Sequence, residues 1–177
     1  MEELASARIG RTFNQYARGS RAPLLRDRLV HYLESRAGAR LLLVGEAPGY
    51  RGARVSGIPF TSERQLTGAG PAEAAATVVR RVLAGLGLED DVLFWNVVPT
   101  HPGTRSTNRM PTALEIRGGL AFLDALCVGR RVVAVGRIAE RVLATPAVRH
   151  PAHGGAKAFE TGLIELHDRG ELVPGPA

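Results

Sequence analysis

Apolar residues fall along this chain in two alternating patterns, short continuous runs and stripes at helical spacing, and that alternation predicts an α/β layered domain. The runs Leu41 to Val44, Val92 to Val98 and Arg131 to Val135 read as strands, and Leu163 to Leu166 as a fourth. Unbroken apolar runs suit strands covered on both faces. Between them, Leu25, Leu29 and Leu33 recur every four residues behind Pro23 and predict a helix packed on the sheet. A clearer stripe joins Ala75, Val78, Val79, Val82, Leu83 and Leu86, with Pro71 near its start and Gly87 at its end. Thr112 and Glu115 form a capping-box pair that opens a helix with Ile116, Leu120, Leu123 and Cys127 on one face. Gly136 turns the third strand into a short helix through Ile138 and Val142. Strands separated by helices pair in parallel, so the turns after Val44, Val98 and Val135 converge on one sheet edge, where ligands of α/β proteins bind.

Composition narrows the class of molecule. The 177 residues, 45% of them hydrophobic, suffice for one substantial core. No apolar run approaches a membrane span and MEELASARIG lacks the apolar stretch of a signal peptide, so a cytoplasmic, nucleoid-associated protein with no membrane partner is expected. The charge of +6 comes from 22 Arg and one Lys against 17 acids, which suits an anionic partner and equally a well-solvated surface. A single cysteine, Cys127, removes iron–sulfur clusters from consideration, since these need four thiolates or close substitutes. His150 and His153, without a neighbouring carboxylate, make a poor zinc pattern, so neither metal nor other cofactor is expected.

The most informative stretch is Leu41 to Phe60, where an apolar run ends in a Pro/Gly turn and leads to a Gly-Ile-Pro-Phe loop. It reads as a strand delivering backbone groups to a pocket, with Gly45, Pro48 and Gly49 bending the chain where a ligand approaches. Three blocks then recur in order: GEAPG at Gly45 to Gly49, WNVVPTHPG with NRMPTALE from Trp95 to Glu115, and HPAHGG at His150 to Gly155. Together with Pro59-Phe60 they resemble the uracil-DNA glycosylase superfamily over about residues 40 to 165, closest to its GEAPG-containing branch. The resemblance implies an α/β three-layer sandwich with a central, mainly parallel four-stranded sheet flanked by helices. One domain over residues 1–177 is expected, with 1–39 an N-terminal helical segment and 173–177 a flexible tail.

Base excision requires flipping the nucleotide, stacking its base, reading its edge and stabilising it as a departing anion. The resemblance assigns these tasks to particular residues. Phe60 would stack the pyrimidine, and Asn96, within the apolar FWNVV strand, would complement the N3–H and O4 edge of uracil. Burying that amide is costly unless something pairs with it, a structural hydrogen bond being the competing explanation. Trp95, on the opposite face, belongs to the core. His150 would donate to uracil O2 as charge develops there, and Pro151, Ala152, His153 and Gly154 would press into the minor groove. Arg109 and Arg149 are possible phosphate contacts, while Gly45, Ala47, Gly49 and Tyr50 would line the base pocket.

The chain also departs from its relatives. In the branch whose first motif reads Gly-Gln-Asp-Pro-Tyr, the third position carries a water-positioning carboxylate and the fifth a tyrosine; here they are Ala47 and Gly49. Glu46 is the nearest carboxylate that can act on water, and Gly49 leaves the pocket less strict against a 5-methyl group, with Tyr50 a partial barrier. The acidic pair that commonly follows GEAPG is absent, and the cysteine that follows the strand-end Asn in the cluster-bearing branch gives way to Thr100-His101-Pro102. Lys157, the only lysine, lies beyond the last motif, so no Schiff base and no lyase step are expected. The expectation is a monomeric, monofunctional glycosylase acting on DNA that contains uracil or a related damaged base. The alternative is a protein that binds such a base with weak or no excision. A nucleotide-binding module is disfavoured, because neither Gly-rich turn has the spacing of a dinucleotide fingerprint or a P-loop.

Overall fold

The computed structural model describes residues 1–172, so the tail expected from Val173 lies outside the described residues. Two helical segments precede the sheet: the short α1 (Glu2–Ser6) and the longer α2 (Ala22–Ser35), which carries Pro23 in its first turn and buries Leu25 and Leu29. Strand β1 (Leu41–Gly45) follows, then the motif loop with its short helices α3 (Ala53–Ser56) and α4 (Glu63–Thr67). Helix α5 (Ala74–Gly85) leads to β2 (Val92–Asn96), and α6 (Ala113–Leu120) and α7 (Asp124–Cys127) lead to β3 (Arg131–Val135). The chain closes with α8 (Arg137–Leu143), β4 (Ala147–Val148) and α9 (Ala156–Asp168).

The four strands form one all-parallel sheet in the order β2-β1-β3-β4. Because strand side chains alternate between faces, each apolar run feeds two cores. Leu41, Leu43, Phe94, Val133 and Val135 meet α5 and α9 on one face through Val79, Val82, Leu83, Phe159, Leu163 and Leu166. On the other, Leu42, Val44, Leu93, Trp95 and Ala134 meet Leu25 and Leu29 of α2, Leu123, and Ala139 of α8. The register puts Gly45 directly opposite Asn96, so the first two motifs end level at the same edge of the sheet.

Two expectations need correction. Leu163 to Leu166 is not a strand; it lies inside α9, where Phe159, Leu163 and Leu166 form a buried stripe at helical spacing. The fourth strand is instead the two-residue β4, fastened to β3 by Gly136 N–H donating to the Val148 carbonyl and Ala134 N–H to that of Pro146. The helix opened by Thr112 also stops sooner than its apolar stripe implies. The Thr112 and Glu115 capping box forms, but α6 ends at Leu120 and Leu123 starts a separate turn before α7. Gly119 lies against the Val97 carbonyl so closely that no Cβ would fit, which presses this helix onto the exit of β2.

Candidate active site

Gly45 is the hub of the site. A Cβ there would stand 2.6 Å from Cζ of Phe60 and 2.7 Å from Oδ1 of Asn96, so glycine alone lets the aromatic ring and the amide approach across the strand end. Phe60 is held in the left-handed region (φ 50°), a strained conformation for an aromatic residue. The Ser56 hydroxyl braces it, donating to the Thr61 carbonyl (2.6 Å) and accepting the Ile58 N–H (3.1 Å). Further out, Tyr16 donates to the Gly57 carbonyl, and Arg21 and Arg28 of α2 grip Glu63. Phe60 packs on Phe94 at 5.5 Å between ring centroids and faces the His150 ring at 6.3 Å, so it is both a core residue and one wall of the site.

Asn96 is 4% exposed, yet among the described residues its side-chain amide has no hydrogen-bond partner. The amide is not among the fully buried unpartnered atoms, so it meets solvent at the strand end and is free to pair with a ligand that offers a matching edge. Trp95, its neighbour, points into the opposite core as expected.

His150 arrives after β4. The Ala152 N–H donates to its Nδ1 (3.1 Å), which leaves the proton of the neutral ring on Nε2, free to donate. Burial, with Arg149 and His153 adding to it, pulls its pKa down to about 4, so the ring is neutral near pH 7. Gly136, at φ 92°, closes β3 as Gly45 closes β1. A Cβ on it would meet both His150 Cβ (3.2 Å) and Glu46 Oε1 (3.3 Å). The two candidate catalytic side chains therefore flank one glycine. Burial raises the Glu46 pKa, and Arg137 and Arg149 oppose that rise. In the loop that follows, Pro151 is buried, while His153 (φ 52°) and Gly154 (φ 76°) are exposed in left-handed conformations.

A family model described as the uracil DNA glycosylase superfamily matches residues 33–174. The chain belongs to the uracil DNA glycosylase superfamily. A crystal structure of wild-type Pedobacter heparinus SMUG2 shares the fold, with a TM-score of 0.71 over 95% of this chain and 94% of that one, at 15% identity. No curated protein matches the sequence significantly.

Within this glycosylase fold the remaining motif residues separate by position. Ala47 and Tyr50 are partly buried beside the strand end; the Tyr50 N–H donates to Asn108 Oδ1, and its ring lies 5.4 Å from the Arg51 guanidinium. Arg109 commits both terminal nitrogens to Glu115 (2.6 and 2.7 Å), a carboxylate that also accepts the N–H groups of Thr112 and Arg11. That arrangement orders the loop after β2 and leaves Arg109 little capacity for a phosphate. Arg149 and Arg137 are exposed and form no ion pair among the described residues.

The superfamily branch that carries GEAPG usually holds an iron–sulfur cluster, and these residues do not fit one. In the Thr100-His101-Pro102 stretch that replaces the cluster cysteine, His101 is fully buried, its Nδ1 2.7 Å from the Pro48 carbonyl and its Nε2 2.8 Å from that of Thr104. The Nδ1 contact joins the first two motif loops, and the Nε2 contact lies within the second. Cys127 sits in α7, packed against the core beneath the sheet. Among the described residues, no group of three or more His, Cys, Asp and Glu could hold a metal ion, and no helix is long and apolar enough to cross a membrane.

Sequence reasoning missed four residues near this edge: Gly136, Arg137, His101 and Glu73. The first had a visible signal, a glycine closing a parallel strand just as Gly45 does. Glu73 had none. Its carboxylate reaches back from the start of α5 to lie against Gly49 and Gly52.

Proposed function

We propose that this chain is a monofunctional DNA glycosylase that hydrolyses the N-glycosidic bond of deoxyuridine in DNA, as a base-excision repair enzyme of the GEAPG-like branch without its cluster. The observation that carries this reading is the Asn96 amide, free of protein partners and held against Gly45, where the Phe60 ring also meets the strand end and faces His150. A flipped uracil stacked on Phe60 would offer its N3–H to Asn96 Oδ1 and its O4 to Nδ2. Cytosine presents the opposite donor and acceptor pattern, and a site built to pair a buried edge rejects the wrong one strongly.

As the C1′–N1 bond lengthens, electrons move onto the base and charge gathers on O2. His150, neutral and carrying its proton on Nε2, donates a hydrogen bond there without giving up the proton. Water adds to C1′ and loses a proton to solvent or to Glu46, the carboxylate that flanks Gly136 with His150, while the base anion takes up a proton from solvent. The products are an abasic site and uracil. Arg137 and Arg149 meet the flanking phosphates, Arg109 orders the loop beside them, and the Pro151 to Gly154 loop enters the space the base has left. The protein works as a monomeric single domain in the cytoplasm, at the nucleoid.

The test is alkali-induced strand cleavage of labelled oligonucleotides carrying one uracil in single-stranded, U·G and U·A contexts, with Asn96→Ala as control. Abasic product that disappears in the variant supports the enzyme. A second reading, a uracil-binding protein with little turnover, draws on Ala47, which leaves the motif without its usual carboxylate. Glu46→Gln separates the two, lowering single-turnover excision in the enzyme and leaving uracil-dependent binding in place in either.

A further inference from the structure

Neither Gly49 nor Gly52 has the positive φ that favours glycine. What a side chain at either would meet first is the end of Glu73. A Cβ on either would overlap the Glu73 carboxylate, which lies across the two Cα positions. The Glu73 carboxylate therefore occupies the space that side chains at these two positions would take.

Three further observations direct it toward the site. Val79, Val82 and Leu83 of α5 pack on the sheet face that carries Phe60 and Phe94, and the chain leaves the far end of the helix to begin β2. The helix thus runs antiparallel to the strands, and its first turn overhangs the edge where Gly45 and Asn96 end. Glu73 occupies the capping position of that turn without capping it, its side chain making no hydrogen bond to the helix. Among the described residues it also forms no ion pair. Finally, Gly49 stands at the motif position where relatives place a tyrosine against the 5-methyl of thymine. The opening expected from its missing side chain is filled here from another part of the chain.

We infer that Glu73 is the specificity-determining residue at the 5-position of the base, its carboxyl group filling the space that Gly49 and Gly52 leave and turning away pyrimidines with bulky 5-substituents. This rests on the uracil-excision reading. A methyl group pressed on the carboxyl would both overlap it and strip its water without offering a hydrogen bond in return. Burial raises the Glu73 pKa.

The experiment measures single-turnover excision of uracil, 5-fluorouracil, 5-bromouracil and thymine, each opposite guanine, by wild type, Glu73→Ala and Glu73→Gln. Taking the variant-to-wild-type ratio for each base cancels differences in leaving-group acidity. For E73A the ratio should climb with the size of the 5-substituent, by about tenfold or more from uracil to thymine. E73Q keeps the shape of the side chain and should stay within about threefold of the wild-type rate on every base. Should E73A not fold, Glu73→Asp, shorter by one methylene, carries the same test with a smaller climb. A flat series overturns the inference, and so does equal loss on every base in E73Q, which would make Glu73 a water activator. A wild type that excises no uracil refutes the reading beneath it, and the inference with it.

Discussion

Gly45→Ala is the most economical test of the site, because it adds one carbon and leaves each proposed chemical group in place. Its backbone angles suit alanine, so the whole effect is steric. The new Cβ would lie 2.6 and 2.9 Å from Cζ and Cε2 of Phe60 and 2.7 Å from Asn96 Oδ1, against ordinary contact from 3.4 Å. Ring, amide or strand must yield by about 0.8 Å to restore van der Waals separation. Neither neighbour moves freely: Phe60 is packed on Phe94, and Asn96 belongs to a strand paired along its length with β1. Overpacking of this kind costs about 1–3 kcal/mol of stability. A displacement near 1 Å of a positioned group costs about 10²-fold in rate. The variant should therefore fold, melt a few degrees lower, and lose about two orders of magnitude in single-turnover uracil excision. Thermal melting and a single-turnover time course on one uracil oligonucleotide measure both quantities. Wild-type excision from a folded G45A protein would refute the claim that Gly45, Phe60 and Asn96 form the base pocket.

Further predictions concern charge. The folded pKa of His150 is about 4 against an ordinary 6.5, so the unfolded chain takes up its proton first and stability falls as pH drops from 6.5 toward 4. The Glu115 pKa, lowered to about 2, costs stability only below about pH 4.5, while Glu46 and Glu73, raised by burial, act in the opposite sense. His150→Asn should accordingly lose less Tm than wild type between pH 7 and 5, and equal losses would contradict the neutral-ring assignment. Glu115→Ala removes the acceptor of two N–H groups and the Arg109 pair from a buried position, and should lower stability by about 2–4 kcal/mol in urea unfolding at pH 7. Replacing Arg137 and Arg149 by Ala should reduce the slope of log K against log salt for DNA binding by about one for each phosphate no longer neutralised, and an unchanged slope would place the DNA elsewhere.

The parts of the fold that were legible in the sequence are those where one local signal suffices. Leu41 to Val44 had to be a buried strand, and Thr112 with Glu115 had to open a helix, because run length and capping chemistry act within a few residues. The stretch Leu163 to Leu166 was ambiguous for the same reason: four residues do not distinguish period 2 from period 3.6, and Phe159, one turn earlier, decides for the helix. The true β4 is too short to carry any pattern. Asn96 and His150 could be singled out because a polar residue in an apolar strand and a motif histidine are local facts. Glu73 meets glycines more than twenty positions away, and the two carbonyls that His101 meets lie on different loops, so neither arrangement can be read from neighbouring residues.

The segment from Thr12 to Gln15 lies before the region matched by the family model, yet it forms the seat of the loop that leaves β2. Phe13 pairs with His101 in an antiparallel bridge, Thr12 and Thr100 share a hydroxyl hydrogen bond of 2.5 Å, and Gln15 donates to the Pro99 carbonyl. His101 in turn reaches Pro48 in the GEAPG loop. A chain trimmed to residues 33–174 would keep each of its motifs and lose the strut beneath two of them. Natural or engineered variation in those early residues is therefore a route by which base excision can be tuned without touching any residue that meets the base.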